Sequence, residues 1–320
     1  MQLFIKAFNR TFYLARLLGT LRALATGIDS VIILDDGTPQ RFLAKLREDY
    51  PEVTIVQAPH GERKTQLMRE GRISERMSPA EEAALGLTNP AEFWVSEIER
   101  RAQDWIGVLE EDVWFVHPFD CASLLEICRA RDILMYRLFW ASVPALAPQS
   151  ETFETLQAGR TPVHLYMPKV RGALERPKLF TPAQAIYRTD YWLNAFRVTG
   201  YNFTIGSQFD RSVEFLGNKL VRPVFAHSAN ELVVHGYSST SRKTAKTLTG
   251  VEFNPTEINL ALNEAWLDGS LDASQGVPTD FDEACLLRAL TGRLPDRAIE
   301  EWRLWKRRFL EYYRAMGSTV

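Results

Sequence analysis

The sequence predicts an α/β protein with a mostly parallel sheet flanked by helices. Over the first 120 residues, short apolar runs typical of strands alternate with segments of helical periodicity. Strands that alternate with helices imply crossover connections and therefore parallel pairing. Polar residues follow several of these strands, and sheets of this kind bind ligands beyond the carboxyl ends of their strands. We therefore expect a binding crevice at that edge.

The first two strands both lead into polar residues. They are predicted at residues 2–8 and 30–34, and a leucine-rich helix closed by Gly27 separates them. A third strand is predicted at 53–57. The polar residues that follow the first two strands are Asn9, Arg10, Asp35 and Asp36. The pair before Gly37 can equally form a simple turn, because Asp-Gly is a common turn dipeptide.

The most informative segment is 105–120. Its apolar run, 106–109, is followed by three carboxylates, and a second apolar run begins at Val113. Carboxylates between buried runs need a partner, because isolated charges are costly in a low-dielectric site. A divalent cation is suitable, since Mg²⁺ takes oxygen ligands and keeps positions open for phosphate oxygens. The carboxylates are Glu110, Glu111 and Asp112. A metal held against a diphosphate is the favoured interpretation, and a solvated loop is the alternative.

Three motifs together resemble the opening half of nucleotide-sugar glycosyltransferases with the GT-A fold, of the family 2 type. Phe-Asn-Arg at 8–10 resembles their first-strand end, Leu-Asp-Asp-Gly-Thr at 34–38 their second-strand motif, and Leu-Glu-Glu-Asp-Val at 109–113 their Asp-x-Asp motif. The resemblance covers about the first 120 residues in the correct order. It departs from the family at Glu110, which replaces the first aspartate, and at 57–61, which replaces an Asn-x-Gly segment.

The resemblance implies a metal-dependent enzyme that moves a sugar from a UDP or GDP donor to a hydroxyl of a glycan or glycolipid. Mn²⁺ or Mg²⁺ would neutralise the charge that develops on the departing diphosphate. The implied donor-binding residues are Phe8, Asn9, Arg10, Asp35, Asp36 and Glu111. Lys64, in a polar stretch at 60–89, could lie near the donor or on a solvated helix.

A late segment supplies the third metal-ligand candidate. His235 and Gly236 precede a Ser/Thr-rich run that contains Lys243. This resembles a loop in some GT-A enzymes in which a histidine completes the metal site and a lysine contacts the diphosphate. The predicted metal ligands are therefore Glu110, Asp112 and His235, a plausible Mn²⁺ set. His227 is a second candidate, and a surface histidine at a strand end is the alternative.

The catalytic base is predicted on a helix near residue 210. Many inverting enzymes of this fold place a carboxylate there, which removes the acceptor hydroxyl proton. Asp210 is the first candidate and Glu214 the second. The alternative is that Asp210 caps a helix start.

The chain divides into a predicted GT-A domain, 1–250, and a helical C-terminal extension, 251–320. Residues 1–120 would bind the nucleotide, and 121–250 would bind the acceptor. The last helix combines tryptophans with basic residues, so it could lie on a membrane, pack on its own domain or pack on a second subunit.

Composition agrees with a cytoplasmic enzyme, with peripheral contact at the inner membrane surface as an option. The 320 residues carry a net charge of −2, which gives no electrostatic argument for nucleic-acid binding. The three cysteines have no metal-ligand spacing and favour a reduced protein. The sequence shows neither a signal peptide nor an apolar run long enough to span a membrane.

Two other functions remain open from the sequence. A sugar-nucleotide nucleotidyltransferase has a related fold, but the glycine-rich phosphate loop expected after its first strand is missing at 8–11. A non-catalytic carbohydrate-binding or scaffold protein of the same fold is the second alternative, and acids at several strand ends speak against it.

Overall fold

The structure is a computed structural model and describes residues 1–70, 72, 79–87, 89–169, 173–197, 205–217, 223–240 and 249–318. The strands are β1 (Gln2–Ala7), β2 (Ala25–Thr26), β3 (Ser30–Asp35), β4 (Thr54–Gln57), β5 (Trp105–Glu110), β6 (Val113–Phe115), β7 (Phe119–Asp120), β8 (Ile133–Arg137), β9 (Thr152–Ala158), β10 (Thr161–Tyr166), β11 (Ala185–Arg188), β12 (Val224–Ser228) and β13 (Val233–His235). The α-helices are α1 (Thr11–Leu24), α2 (Gln40–Asp49), α3 (Gly61–Arg69), α4 (Pro79–Ala84), α5 (Pro90–Arg101), α6 (Cys121–Arg131), α7 (Thr189–Arg197), α8 (Ile205–Gly217), α9 (Pro255–Leu267), α10 (Glu283–Leu290) and α11 (Asp296–Ala315).

Nine strands form one sheet in the order β4-β3-β1-β5-β11-β8-β12-β10-β9. β1 pairs in parallel with β3 and β5, β4 with β3, and β12 with β8. Only β11 and β10 run the other way among these nine, since each is antiparallel to both of its neighbours. Seven of the nine strands therefore end at the same edge, which we call the carboxyl edge. This confirms the predicted α/β fold with a mostly parallel sheet.

The sheet is apolar on both faces because helices cover both of them. Along β1, Leu3 and Ile5 face one apolar cluster and Phe4 faces the other, as the two-residue period of a strand requires. The first cluster includes residues of α1, and the second includes residues of α5 and α7. Because β1 lies between β3 and β5, the residue that follows it, Phe8, lies between the ends of those two strands.

The C-terminal helices share the core of the sheet. Trp302 and Trp305 on α11 are fully buried, and they belong to the same apolar cluster as Phe12 and Leu17 on α1. Of the three alternatives for the apolar face of this helix, packing on its own chain is the one that the structure shows. The domain boundary at residue 250 stays a prediction.

Two smaller findings concern the membrane and the cysteines. In the ranges that the structure describes, no helix combines the length and the apolar character needed to cross a bilayer. Cys121, Cys128 and Cys285 are all buried free thiols.

Candidate active site

The parallel pairing of β3, β1 and β5 brings their polar ends together at the carboxyl edge. Ala7 is in register with Asp35, and Lys6 is in register with Glu110. Backbone hydrogen bonds continue past the strand ends, from the Glu111 amide to the Lys6 carbonyl at 3.1 Å. The predicted convergence of these three strand ends is thus present in the structure.

Asp35 and Asp36 have different surroundings. The Asp35 carboxylate accepts hydrogen bonds from the Thr38 amide at 3.0 Å and from Nε2 of Gln57 at 3.2 Å. Burial raises the pKa of Asp35 to about 6. Asp35 therefore holds its own turn together. Asp36 is also buried, and it forms an ion pair with Lys64 of α3.

Lys64 lies near the predicted donor-binding residues, which agrees with the first of the two interpretations given above and not with a fully solvated position. Its Nζ is 4.7 Å from the centre of the Phe8 ring, in addition to the ion pair with Asp36. An apolar ring, a carboxylate and an ammonium group therefore meet at one side of the carboxyl edge.

Asn9 and Arg10 form the turn from β1 into α1. Asn9 has a left-handed backbone with φ of 58°, a conformation that asparagine tolerates better than most residues. Its amide donates to Oγ1 of Thr38 at 2.9 Å. The turn aims the Arg10 side chain toward the acids after β5, where Nε donates to Glu111 Oε1 at 2.8 Å and Nη1 donates to Asp112 Oδ2.

Arg10, Glu111 and Asp112 form a buried ionic network. Glu111 and Asp112 are each 4% exposed and Arg10 is 6% exposed. Burial raises the pKa of Glu111 to about 7 against the opposing effect of Arg10. Burial also acts to raise the pKa of Asp112, but Arg10 and His235 outweigh it and keep that pKa well below its usual range. Burial lowers the pKa of Arg10, yet the two acids raise it more, so the guanidinium stays charged.

His235 reaches the same network from the end of β13. The pairing of β13 with β6 places His235 opposite Val113, and the Gly236 amide donates to the Asp112 carbonyl at 2.7 Å. His235 Nε2 lies 3.1 Å from Asp112 Oδ2. Burial acts to lower the pKa of His235, but Asp112 raises it more strongly.

The two candidate histidines are now distinguished by position. His227 is buried within β12, where it contacts the Ser228 carbonyl and Oγ1 of Thr152. His235, and not His227, contacts Asp112.

Two of the three predicted metal ligands lie side by side. Donors about 2.1 Å from an octahedral ion and at right angles lie about 3 Å apart, which matches the 3.1 Å between Asp112 Oδ2 and His235 Nε2. Asp112 Oδ1 is buried with no hydrogen-bond partner among the described residues. Glu110 is engaged elsewhere, because its two oxygens accept from Lys6 Nζ and Gln184 Nε2, both at 3.0 Å.

The described part of the chain accordingly contains no group of three or more His, Cys, Asp or Glu residues arranged around one metal position. Asp112 and His235 together offer two donor atoms to an ion. Glu110 as a third ligand stays a prediction.

The structure does not bring the predicted catalytic base into this network. Asp210 is exposed on α8 and has no hydrogen bond or ion pair within the described residues. Glu214 pairs with Arg211 on the same helix at 2.6 Å. Lys243 lies outside the residues that the structure describes. The roles of these three residues stay predictions.

Asn263 is a residue that the sequence reasoning missed. It is fully buried on α9, and its Nδ2 donates to the Asn9 carbonyl at 2.9 Å. Its Oδ1 accepts from the Thr11 hydroxyl at 2.8 Å. The sequence offers only a weak signal for it, a polar residue next to Leu262 within a mostly apolar helix.

Asp280 is a second missed residue, and it holds the chain after His235. Its carboxylate accepts from the Tyr237 amide at 2.7 Å and from the Ser238 hydroxyl at 2.8 Å. Tyr13 of α1 donates to the same carboxylate at 2.9 Å. No local pattern marks Asp280, because its partners are distant in the sequence.

No protein-family model and no curated protein matches the chain. Among solved structures, TarS of S. aureus matches 98% of this chain at 11% identity with a TM-score of 0.42, and the chain spans only 54% of that protein. TarS 1–349 in complex with UDP-GlcNAc has 12% identity and a TM-score of 0.40, with 98% of this chain and 89% of that one covered.

A third match is glucosyl-3-phosphoglycerate synthase from Mycobacterium tuberculosis in complex with Mn²⁺, UDP and phosphoglyceric acid. It has 10% identity and a TM-score of 0.41, with 84% of this chain and 78% of that one covered. These proteins are GT-A glycosyltransferases, the class that the sequence motifs resemble. Likeness at this level does not by itself assign an activity, and the fold assignment rests on strand order and register.

Proposed function

We propose that this protein is a glycosyltransferase that binds a nucleoside-diphosphate sugar at the carboxyl edge of its sheet. The observation that carries the proposal is the buried network of Arg10, Glu111, Asp112 and His235. It joins the ends of β1, β5 and β13 at the place where a parallel sheet binds ligands.

The nucleoside would lie on the side of the edge formed by Phe8, Asp36 and Lys64. Phe8 offers an apolar ring to the base, and Asp36 offers an acceptor for a base N–H group. Lys64 fixes the Asp36 carboxylate through their ion pair. Asp35 acts indirectly, because its oxygens already accept hydrogen bonds from its own turn.

The diphosphate would lie beside Asp112 and His235. Mn²⁺ or Mg²⁺ held by these two residues would neutralise the charge that develops on the leaving group. Arg10 holds both acids in place and contributes a permanent positive charge next to the same group. The acceptor hydroxyl would come from a glycan or glycolipid, and a UDP or GDP donor is expected. Peripheral membrane contact or a homodimer through the C-terminal helix stays a prediction.

Titration calorimetry with UDP, GDP, CMP and dTDP, each with and without Mn²⁺, tests the proposal. We expect one nucleotide to bind, Mn²⁺ to tighten its binding, and Asp112→Asn to weaken binding in Mn²⁺ at least tenfold. Asp296→Asn, which removes an exposed carboxylate at the start of α11, serves as the control and should bind as the wild type does.

The preferred nucleotide then selects the sugar donors for a turnover assay that measures release of the nucleoside diphosphate. Failure of the folded wild-type protein to bind any of the four nucleotides would contradict the proposal. Binding without turnover on any donor and acceptor would favour the non-catalytic alternative.

A further inference from the structure

Helix α11 and the residues just after it contact chain segments on both sides of the proposed diphosphate site. In the second turn of the helix, Trp302 Nε1 donates to the Ser238 carbonyl at 2.8 Å, in the segment that follows His235. Just beyond the helix, the Ser318 hydroxyl donates to the Ala141 carbonyl at 2.8 Å, in the segment that follows β8. The C-terminal segment is therefore fixed at two points to segments that flank the site.

Tyr313 projects from this last turn toward the ionic network. Its ring is 5.1 Å from the Tyr237 ring in an edge-to-face arrangement, and the Tyr237 ring is 5.3 Å from His235. His235 in turn lies 3.1 Å from Asp112. A continuous row of rings thus leads from α11 to the proposed metal-binding pair.

The Tyr313 hydroxyl is available to a ligand. Tyr313 is half-buried, and its hydroxyl has no hydrogen bond within the described residues. Burial raises the pKa of Tyr313 to about 12, and the negative charge of Asp112 adds to the effect. The phenol is therefore protonated at neutral pH and can donate a hydrogen bond.

A second ring also contacts His235. Phe139 is half-buried, and its ring stacks on His235 at a distance of 6.0 Å. Ligand sites combine apolar and aromatic walls with a few placed polar groups. A hexose suits such walls, because its ring carries C–H groups on its faces and hydroxyls at its edge.

We propose that Tyr313 and Phe139 form the subsite for the sugar of the donor, with the Tyr313 hydroxyl donating to a sugar oxygen. The inference rests on the proposed function. In a nucleoside-diphosphate sugar, the hexose is bonded to the distal phosphate, so it must occupy space directly beside Asp112 and His235. Tyr313 reaches toward this space from α11 through its contact with Tyr237, the ring neighbour of His235, which would make that helix part of the donor site.

Calorimetry with Mn²⁺ on Tyr313→Ala and Tyr313→Phe tests the inference with two probes, UDP and a UDP-sugar (UDP-glucose and UDP-N-acetylglucosamine in turn). GDP and GDP-mannose replace them if GDP is the preferred nucleotide. We expect Tyr313→Ala to change the Kd of the free nucleotide less than twofold and to raise the Kd of the sugar nucleotide at least tenfold. Tyr313→Phe keeps the ring, and we expect it to raise the Kd of the sugar nucleotide by about threefold or more while the Kd of the free nucleotide stays the same.

Leu304→Ala is the control, because Leu304 is an exposed side chain on the same helix. It should leave both Kd values unchanged. Thermal unfolding of each variant shows whether it is folded, and Tyr313→Phe decides the question if Tyr313→Ala does not fold.

The outcomes separate this inference from the proposed function. If the wild type binds no nucleotide, the proposed function fails and the sugar subsite fails with it. If nucleotide binds but both Tyr313 variants leave the ratio of the two Kd values unchanged, the subsite alone is overturned. An equal loss of affinity for the free nucleotide and for the sugar nucleotide also overturns it, because Tyr313 would then act on the diphosphate.

Discussion

Arg10 offsets the cost of burying two carboxylates in one site. Burying an unpaired carboxylate costs several kcal/mol, and Glu111 and Asp112 are both almost fully buried. Arg10 contacts each of them through a different nitrogen, so one guanidinium compensates two acids. Asp112 Oδ1 remains without a hydrogen-bond partner among the described residues, which leaves one acid partly available for a ligand.

His227 gives a pH-dependent prediction that does not involve the ionic network. Burial lowers the pKa of His227 from 6.5 to about 4. In the unfolded chain, His227 is therefore protonated as the pH falls below 6.5, whereas in the folded protein it is protonated only near pH 4. This contribution to stability is present above pH 6.5 and is lost as the pH falls toward 4. Between pH 7 and pH 5 the loss is about 2 kcal/mol.

Urea unfolding at pH 7 and pH 5 measures this loss in the wild type and in His227→Phe. We expect the variant to lose about 2 kcal/mol less than the wild type over this interval, because it has no such group to protonate. His117→Gln, which removes an exposed histidine, should behave as the wild type does. Identical pH dependence in the wild type and His227→Phe would show that burial of His227 does not control acid stability.

At the scale of elements, α9 positions the turn between β1 and α1. The helix begins at the Asn254 cap, whose side chain accepts from the Thr256 amide at 3.1 Å. Asn263 lies on the buried face of the same helix and holds Asn9 in its left-handed conformation. The direction of the Arg10 side chain therefore depends on a helix more than 240 residues away in the sequence.

We expect Asn263→Ala to lower the free energy of unfolding by about 2 kcal/mol or more, because the Asn9 carbonyl and the Thr11 hydroxyl lose buried partners. Nucleotide affinity should also fall, since the turn that aims Arg10 loosens. Calorimetry and urea unfolding measure both effects. The control is Asp282→Ala, which removes the cap that accepts from the Ala284 amide of α10 and costs about 1 kcal/mol. Equal nucleotide affinity in these two variants would show that Asn263 acts on stability alone.

The parts of the site that the sequence predicted are those with a local signal. Glu111 and Asp112 follow a buried strand, and Asp36 follows another, so position along the chain already placed them at one edge. The pairing of Arg10 with two acids could not be predicted, because it depends on the register between β1 and β5. Asn263 and Asp280 carry no motif at all. Their roles arise from contacts between segments that are distant in the sequence.

At the scale of the whole molecule, the sheet and the C-terminal helices form a continuous core. Trp305 packs on Phe253 with a ring separation of 4.7 Å and on Phe309 at 4.9 Å. The cluster that contains them also includes Ile5 of β1. We therefore predict that residues 1–250 and 251–318 unfold together, although the sequence suggested that they are a domain and an appended extension.

Trp305→Ala tests this cooperativity. Removing a buried tryptophan should cost about 3–5 kcal/mol, whereas Leu304→Ala, at a side chain that is 42% exposed, should change stability by less than about 0.5 kcal/mol. Hydrogen exchange at increasing urea concentration reports on each segment separately. If the core is shared, Trp305→Ala lowers the protection of β1, β3 and β5 as much as that of α11, because one opening event exposes all of them. If protection falls in α11 while the strands remain protected, the extension unfolds by itself and a donor site that includes Tyr313 would open before the sheet does.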